Sequence, residues 1–387
     1  MKKLSASWQL MLAIGCIDLM FMVPVVMAYY QLKGVDIGAF LLLQGLFRVA
    51  VLTLEIPTGY LADRWSRTAQ LTLGAAAWLV GLTLVWQAES FAGLLVAETF
   101  MALSVALYSG TTQAYLHEAL QHEGRGKEEA KWQGRLFASS TSAEMLAGAI
   151  GGWLFGWWAD APVLGCMIAA TVALMLTATL PKLPSHNATR RHANPFIDLW
   201  LVAHHSLRQH PRLPWLLLGP KILTGFTGLL FWVMQGKLIA LQLSPIMLGV
   251  SFAAFMGVKT CLALLAGRIA LLGEVRVMRT LPWLLVLGCL FMTFPNAWMV
   301  WMGGVLTAGF IHAVGSPLAT TLVNREVANH ERATVLSIGG MLSQLVGASL
   351  MIMAAPMLEY MSLNMLMLSF LGLVIMVSAY PLWRLRD

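Results

Sequence analysis

Charge is scarce in this sequence, and that scarcity removes most function classes at once. Only 11% of the 387 residues are Asp, Glu, Lys or Arg, against about 25% in a typical soluble chain. A water-facing surface cannot be assembled from that supply, so most of the exterior must meet something other than water. Cysteine is scarce too. The four present (Cys16, Cys166, Cys261 and Cys289) all fall in apolar runs, which reads as packing rather than a disulfide framework or a metal site. The sequence lacks a His-Glu-x-x-His helix and a Gly-x4-Gly-Lys-Ser/Thr phosphate loop. The nearest approach to a His-x4-Asp pair is His192 and Asp198, spaced by five residues in a proline-containing segment. An integral membrane enzyme and direct nucleotide-driven pumping are therefore disfavoured, and no cofactor or metal is expected.

Apolar length is what the sequence has in abundance. Hydrophobic residues make up 58% of the chain, in runs that recur from end to end. Each spanning helix needs about 20 apolar residues, so twelve would use roughly 240 and leave short loops with one longer connection. The runs are read as spans at 8–30, 38–61, 69–88, 91–115, 135–158, 162–181, 214–235, 245–267, 279–296, 298–321, 334–355 and 363–383, with Pro, Gly or charge clusters marking most ends. The opening Met1-Lys2-Lys3 resembles a secretory leader, but the following run over 8–30 is too long and carries Asp18, so it reads as the first span.

Basic residues set the orientation. With the N-terminus inside, 20 of the 25 Lys and Arg fall in cytoplasmic segments, and only Lys33 and Lys237 fall in outside loops. This positive-inside bias supports an even number of spans with both termini cytoplasmic, in a multi-pass bacterial inner-membrane protein. It also accounts for the formal charge of +7 without nucleic acid. The longest loop divides the chain into a six-helix bundle at 1–181, a cytoplasmic linker at 182–213 and a second six-helix bundle at 214–387. The linker holds His186, His192, His204, His205 and His210. It reads as a solvated connection with an interfacial helix near 196–207, a metal-sensing loop being the other reading. Two halves of six spans suggest an internal repeat. Gly59-Tyr60-Leu61-Ala62 ends span 2 and Gly267-Arg268-Ile269-Ala270 ends span 8.

The most specific segment is Glu55-Ile56-Pro57-Thr58-Gly59-Tyr60-Leu61-Ala62-Asp63-Arg64-Trp65-Ser66-Arg67. It resembles the signature loop of the major facilitator superfamily, Gly-x-Leu-Ala-Asp-Arg-x-Gly-Arg-Arg/Lys, between spans 2 and 3 on the inside. Gly59, Leu61, Ala62, Asp63, Arg64 and Arg67 match; Ser66 stands for the second glycine and Thr68 for the last base. The preceding Glu-Ile-Pro-Thr is similar to a bacterial branch rich in exporters. The resemblance implies the facilitator fold of two six-helix bundles. It also implies that Asp63, Arg64 and Arg67, with Gly59 allowing close helix approach, clamp one of two conformations. An ordinary charged cytoplasmic turn is the competing reading. Two departures weaken the likeness to drug antiporters: span 5 has Gly148, Gly151 and Gly152 without the usual proline, and span 4 has no arginine. Those glycines, together with Gly156, read as close-packing positions.

Apart from Arg135 and Arg279, the first residues of their spans, seven charged side chains fall within spans: Asp18, Arg48, Glu55, Glu98, Glu144, Lys221 and Lys259. Each costs about 2.5–3.5 kcal/mol near the bilayer centre, so they should face a cavity or one another. Spans 3, 6, 9 and 12 carry none beyond Arg279 at the edge of span 9, and these are the outer helices under the resemblance. Glu144, then Asp18, then Glu98 are the proton-coupling candidates, since a carboxyl at membrane depth can load and release a proton. Arg48, Lys259, Lys221 and His312 are the substrate-cavity candidates. Asp18 and Arg48 lie at similar depth and are expected to pair. Arg48 and Glu55, seven apart, share a helix face. Structural neutralisation and a transport role both remain open for that cluster.

The resulting expectation is a monomeric, proton-coupled exporter of a small organic or amphipathic compound. Its partners are that substrate, protons and membrane lipids. An importer or lysolipid mover of the same fold is the alternative.

Overall fold

The computed structural model describes residues 5–62, 65–183, 212–327 and 332–384. Among them every regular element is helical. The helices are α1 (Ala6–Ile17), α2 (Val26–Leu32), α3 (Ile37–Ala62), α4 (Arg67–Gln87), α5 (Phe91–Tyr108), α6 (Thr111–His122), α7 (Glu129–Trp157) and α8 (Ala161–Ala178). After the linker come α9 (Leu213–Ala240), α10 (Pro245–Ala270), α11 (Glu274–Thr293), α12 (Ala297–Gly304), α13 (Ser316–Glu326), α14 (Arg332–Met357) and α15 (Leu363–Arg384). Ten helical stretches among the described residues are long and apolar enough to cross a membrane. The other two spans of the twelve-helix fold are the broken first one and α7, whose polar run Ser139-Ser140-Thr141-Ser142 lowers its apolar content.

The expected continuous span at 8–30 is corrected: α1 stops at Ile17 and the helix resumes, through a tight turn at Val23–Val25, as α2. Pro24 lies in that turn and lacks the N–H that a continuous helix would use. The backbone groups freed at the break are met locally. The Cys166 thiol donates to the Leu19 carbonyl at 3.6 Å. Gly151 of α7 lies so close that a Cβ there would land on the Phe21 carbonyl oxygen, and a Cβ at Gly165 of α8 would meet the Phe21 ring at 3.1 Å. Irregular backbone at membrane depth persists only where protein covers it, and these small residues let the cover approach.

By contact the chain forms two units. The first comprises Met1–Val35, Ala50–Arg190 and Pro245–Ala253; the second comprises Asp36–Val49, Arg191–Ser244 and Ala254–Asp387. Two helices thus contribute a segment to each: the start of α3 belongs to the second unit, and the start of α10 to the first. In the first unit, α4 packs on α5 and α8, and α1 on α7 and α8. Glycine makes the contact of α7 with the start of α10 unusually close. A Cβ on Gly152 would meet the Pro245 carbonyl and sit 2.8 Å from Gly249 Cα, and one on Gly148 would run into the Phe252 ring. The close packing expected of these glycines holds for Gly148, Gly151 and Gly152 and not for Gly156, whose Cβ would lie 3.8 Å from its nearest neighbour. At the start of α7, Trp132 is buried among Leu10, Ile14, Leu71, Tyr115, Leu116 and Leu136, stacked edge-on by Trp8 at 5.1 Å. The Arg125 and Arg135 guanidinium groups lie 4.7 and 4.9 Å from its ring centre.

In the second unit α9 is central, packed on α12, α13, α14 and α15. The tenth span runs from α12 to α13 through two π-helical stretches, Val305–Gly309 and Ile311–Gly315. Such widened turns are rare and often mark functional positions; this one carries His312. The lipid-facing character of the outer spans is visible in exposed apolar side chains, such as Ile168 and Met175 on α8, Trp283 on α11 and Met376 on α15. Trp153, Trp157, Trp158 and Trp298 are exposed near helix ends, as expected of interfacial residues.

Candidate functional site

The charged residues at membrane depth sort by unit. Asp18, Glu55, Glu98 and Glu144 belong to the first; Arg48, Lys221, Lys259 and the imidazole of His312 belong to the second. Chain order does not produce this sorting. Arg48 falls in the first half of the sequence, and it joins the other cations because the start of α3 groups with the second unit.

In the first unit, Asp18 sits at the end of α1 where the first span breaks. Its carboxylate accepts a short hydrogen bond from the Ser140 hydroxyl. Glu144 lies one turn further along α7, close enough that the charges of Asp18 and Glu144 act on each other. The arrangement brings two of the three expected proton-coupling residues together. The Tyr108 hydroxyl of α5 is also within reach of the Asp18 charge, and among the described residues it has no hydrogen-bond partner despite burial. Glu98, the third candidate, stands apart: it is 4% exposed and accepts from the Tyr30 hydroxyl at 2.8 Å. A buried phenol that donates to a buried carboxylate is a strong structural contact, which fits anchoring of α2 to α5. Glu55 accepts weakly from Ser109 at 3.4 Å.

In the second unit, Arg48 donates to the Gln344 side-chain oxygen of α14 at 2.6 Å. Its guanidinium occupies a gap held open by two glycines. A Cβ at Gly228 of α9 would collide with it, and one at Gly347 of α14 would lie 3.1 Å from it. Asp18 and Arg48, expected to pair, thus each have a partner inside their own unit. Lys221 runs its stem along α14, with Cε 3.0 Å from the site of a Gly339 Cβ. His312 Nε2 is bonded to the Thr227 hydroxyl at 3.0 Å, and the charges of Lys259, Arg48 and Lys221 all act on its ring. No carboxylate pairs with Arg48, Lys221 or Lys259 among the described residues.

Of the expected gate, Asp63 and Arg64 lie outside the described residues. Among the described residues, a Cβ at Gly59 would meet nothing within 4 Å. Ser66, standing where the family has glycine, caps α4 by accepting from the Ala69 amide. Arg67 is fixed by Glu118 of α6 at 2.7 Å, with both side chains largely buried. The second unit holds a sign-reversed counterpart: Glu274, at the start of α11, takes both Arg325 guanidinium nitrogens at 2.5 and 2.9 Å. Each pair is separated by 51 residues. The faint repeat between the ends of spans 2 and 8 therefore has a physical counterpart, an ion pair tying the loop after each to the end of spans 4 and 10.

Ion pairs of this exposure contribute about 1 kcal/mol, roughly fivefold in a two-state equilibrium. Arg67→Glu is expected to slow the transport cycle by about that factor while leaving membrane insertion unchanged. The double exchange Arg67→Glu with Glu118→Arg should recover most of the rate. Flux in vesicles normalised to inserted protein checks both.

Gln344, Ser140, Tyr30 and Thr227 are hydrogen-bond partners of the candidate residues that sequence reasoning missed. Gln344 and Ser140 had a readable signal, being polar residues inside otherwise apolar spans; Tyr30 and Thr227 had none.

Comparison with known proteins agrees with this architecture. Over nearly its whole length the chain resembles solved transporter structures. With the nucleoside transporter NupG the TM-score is 0.79 at 14% identity, covering 99% of this chain and 100% of that one. With a bacterial homologue of the human lysosomal transporter Spinster, inward-facing and unoccupied, it is 0.76 at 17% identity, covering 97% and 95%. With a D-xylose–proton symporter it is 0.73 at 13% identity, covering 98% of each. At these identities the likeness establishes the fold alone. No curated protein sequence matches the chain. Residues 8–352 match the Major Facilitator Superfamily, so the chain belongs to that superfamily and is a multi-pass membrane protein with a transporter fold.

Proposed function

We propose that this protein is a proton-coupled exporter that moves a small organic or amphipathic compound across a bacterial inner membrane by alternating access, as a monomer with both termini in the cytoplasm. One observation carries the proton coupling: the Asp18 carboxylate, bonded to Ser140, lies in the field of Glu144 one turn away, at the break in the first span. Two neighbouring carboxyls titrate as a pair that can hold one proton between them. A discontinuous helix at membrane depth is where transporters place such groups. The same fold supports proton coupling in the D-xylose–proton symporter it resembles. The sign-reversed pairs Arg67–Glu118 and Glu274–Arg325 supply contacts of the kind that hold one conformation against another.

Inverted membrane vesicles with an established inside-acid pH gradient provide the test. Adding a transported compound should partly collapse the gradient, to an extent set by the amount of inserted protein. Flux that proceeds equally with and without the gradient contradicts proton coupling. Flux driven only in the opposite sense makes the protein an importer.

A further inference from the structure

The second unit concentrates positive charge at membrane depth in a way that folding alone does not require. Arg48, Lys221 and Lys259 stand on three helices, α3, α9 and α10, and the charge of each acts on one imidazole, that of His312 in the π-helical stretch of the tenth span. A cation in such a place is ordinarily neutralised by a carboxylate. Here the groups that contact Arg48 and His312 are neutral, a glutamine amide and a threonine hydroxyl. The Arg48 fork is positioned rather than compensated: Gln344 accepts from Nη1, and glycines 228 and 347 leave the room its planar head fills. A planar guanidinium held in place but not consumed by an acid is suited to bidentate binding of a carboxylate or phosphate. Lysine adds a mobile point charge on a flexible stem.

We infer that the second unit contains a binding site for the anionic group, carboxylate or phosphate monoester, of a small organic substrate, with Arg48 and Lys259 as its principal ligands and Lys221 and His312 beside them. The inference rests on the transporter reading but not on its direction or on proton coupling, because it concerns equilibrium binding within one unit. It narrows the cargo to organic anions. It also assigns roles: the cations hold the substrate, and the carboxylates of the first unit handle protons.

The test is equilibrium binding to the purified full-length protein in nanodiscs of zwitterionic lipid, followed by calorimetry. Benzoate and phenyl phosphate are the anionic probes, benzamide and phenol the neutral ones, and phenyltrimethylammonium the cationic one. The anions should bind, more weakly as salt rises, with at least one of them tenfold tighter than its neutral counterpart. Lys259→Gln should weaken anion binding about tenfold. Arg48→Lys, which keeps the charge and removes the fork, should weaken phenyl phosphate more than salt does. If Arg48 variants fail to fold, Lys259→Gln and Lys221→Gln carry the test, since neither lysine has a hydrogen-bonded partner among the described residues. Equal binding of neutral and anionic probes overturns the site, as does anion binding indifferent to these substitutions. A lipid headgroup is separated from a soluble anion by repeating the titration in phosphatidylglycerol nanodiscs: loss of phenyl phosphate binding there overturns the assignment to a soluble substrate. Anion binding that survives Glu144→Gln, in a protein whose flux ignores the pH gradient, leaves this inference standing while proton coupling falls.

Discussion

Glu144→Gln is expected to abolish proton-coupled transport while leaving the protein folded and inserted. Glutamine keeps the size and hydrogen-bonding edge of the side chain, so the packing of α7 against its neighbours is preserved and only the titrating oxygen is lost. Asp18 keeps its Ser140 donor but loses the charge that acts on it from one turn further along α7. On the proposed reading, two coupled carboxyls become a single one. The coupled flux should fall by roughly 100-fold, the lower end of what removing a positioned proton-transfer group costs. Infrared difference spectra taken across a pH titration of the purified protein provide a substrate-free readout. Glu144→Gln should remove a carboxyl band and shift the one from Asp18. Tyr30→Phe perturbs Glu98 instead and should leave both features in place. An unchanged spectrum in Glu144→Gln would remove the pair from the mechanism.

A second large effect is expected from Gly152→Val. The two extra methyls and the new Cβ would meet the Pro245 carbonyl and the Gly249 backbone. Backbone on the facing segment cannot rotate away as a flexible side chain can. Overpacking ordinarily costs about 1–3 kcal/mol, and the rigid opposite wall places this substitution at the upper end. On the scale of soluble domains that is a Tm lowered by on the order of 10 °C, readable by thermal unfolding in detergent. Gly59→Ala is the matched control. A Cβ there meets nothing within 4 Å among the described residues, so it should be silent in the same assay despite standing in the signature segment. Equal effects at both positions would mean that the tight contact of α7 with the start of α10 is not structural.

Much of this architecture was legible in the sequence because bilayer physics writes long signals. A span needs about 20 apolar residues, and twelve such runs with basic residues on one side leave few alternatives. The signature segment narrowed the family further. The places where reading failed are those decided by packing between distant residues. The run over 8–30 is apolar enough to be one helix; the break depends on Pro24 together with cover from Gly151, Gly165 and Cys166, more than a hundred residues on. Arg48 was placed with its sequence neighbour Glu55 and with Asp18. It is instead tied to Gln344, 296 residues away, which no local pattern encodes. Gly59 carries the family motif, yet a Cβ there meets nothing within 4 Å among the described residues. The π-helical turns around His312 left only a trace, in Gly303, Gly304, Gly309 and Gly315.

The candidate site was therefore legible as a set of residue types at membrane depth, and not as a set of partners. Counting charges at membrane depth identified Asp18, Glu144, Arg48, Lys221 and Lys259, because each is costly there. Only the fold separates them into an acidic set and a basic set. That separation is what suggests a division of labour, protons on one set and substrate on the other.

Reconstituted vesicles that compare exchange with uphill transport test this division most directly, using whichever organic anion the binding measurements identify. Exchange of labelled for unlabelled substrate needs the binding site but no net proton movement, whereas accumulation against a gradient needs both. The account predicts that Glu144→Gln exchanges substrate at near the unsubstituted rate and accumulates none, while Lys259→Gln is impaired in both to the same degree. Exchange lost in Glu144→Gln and retained in Lys259→Gln would contradict it.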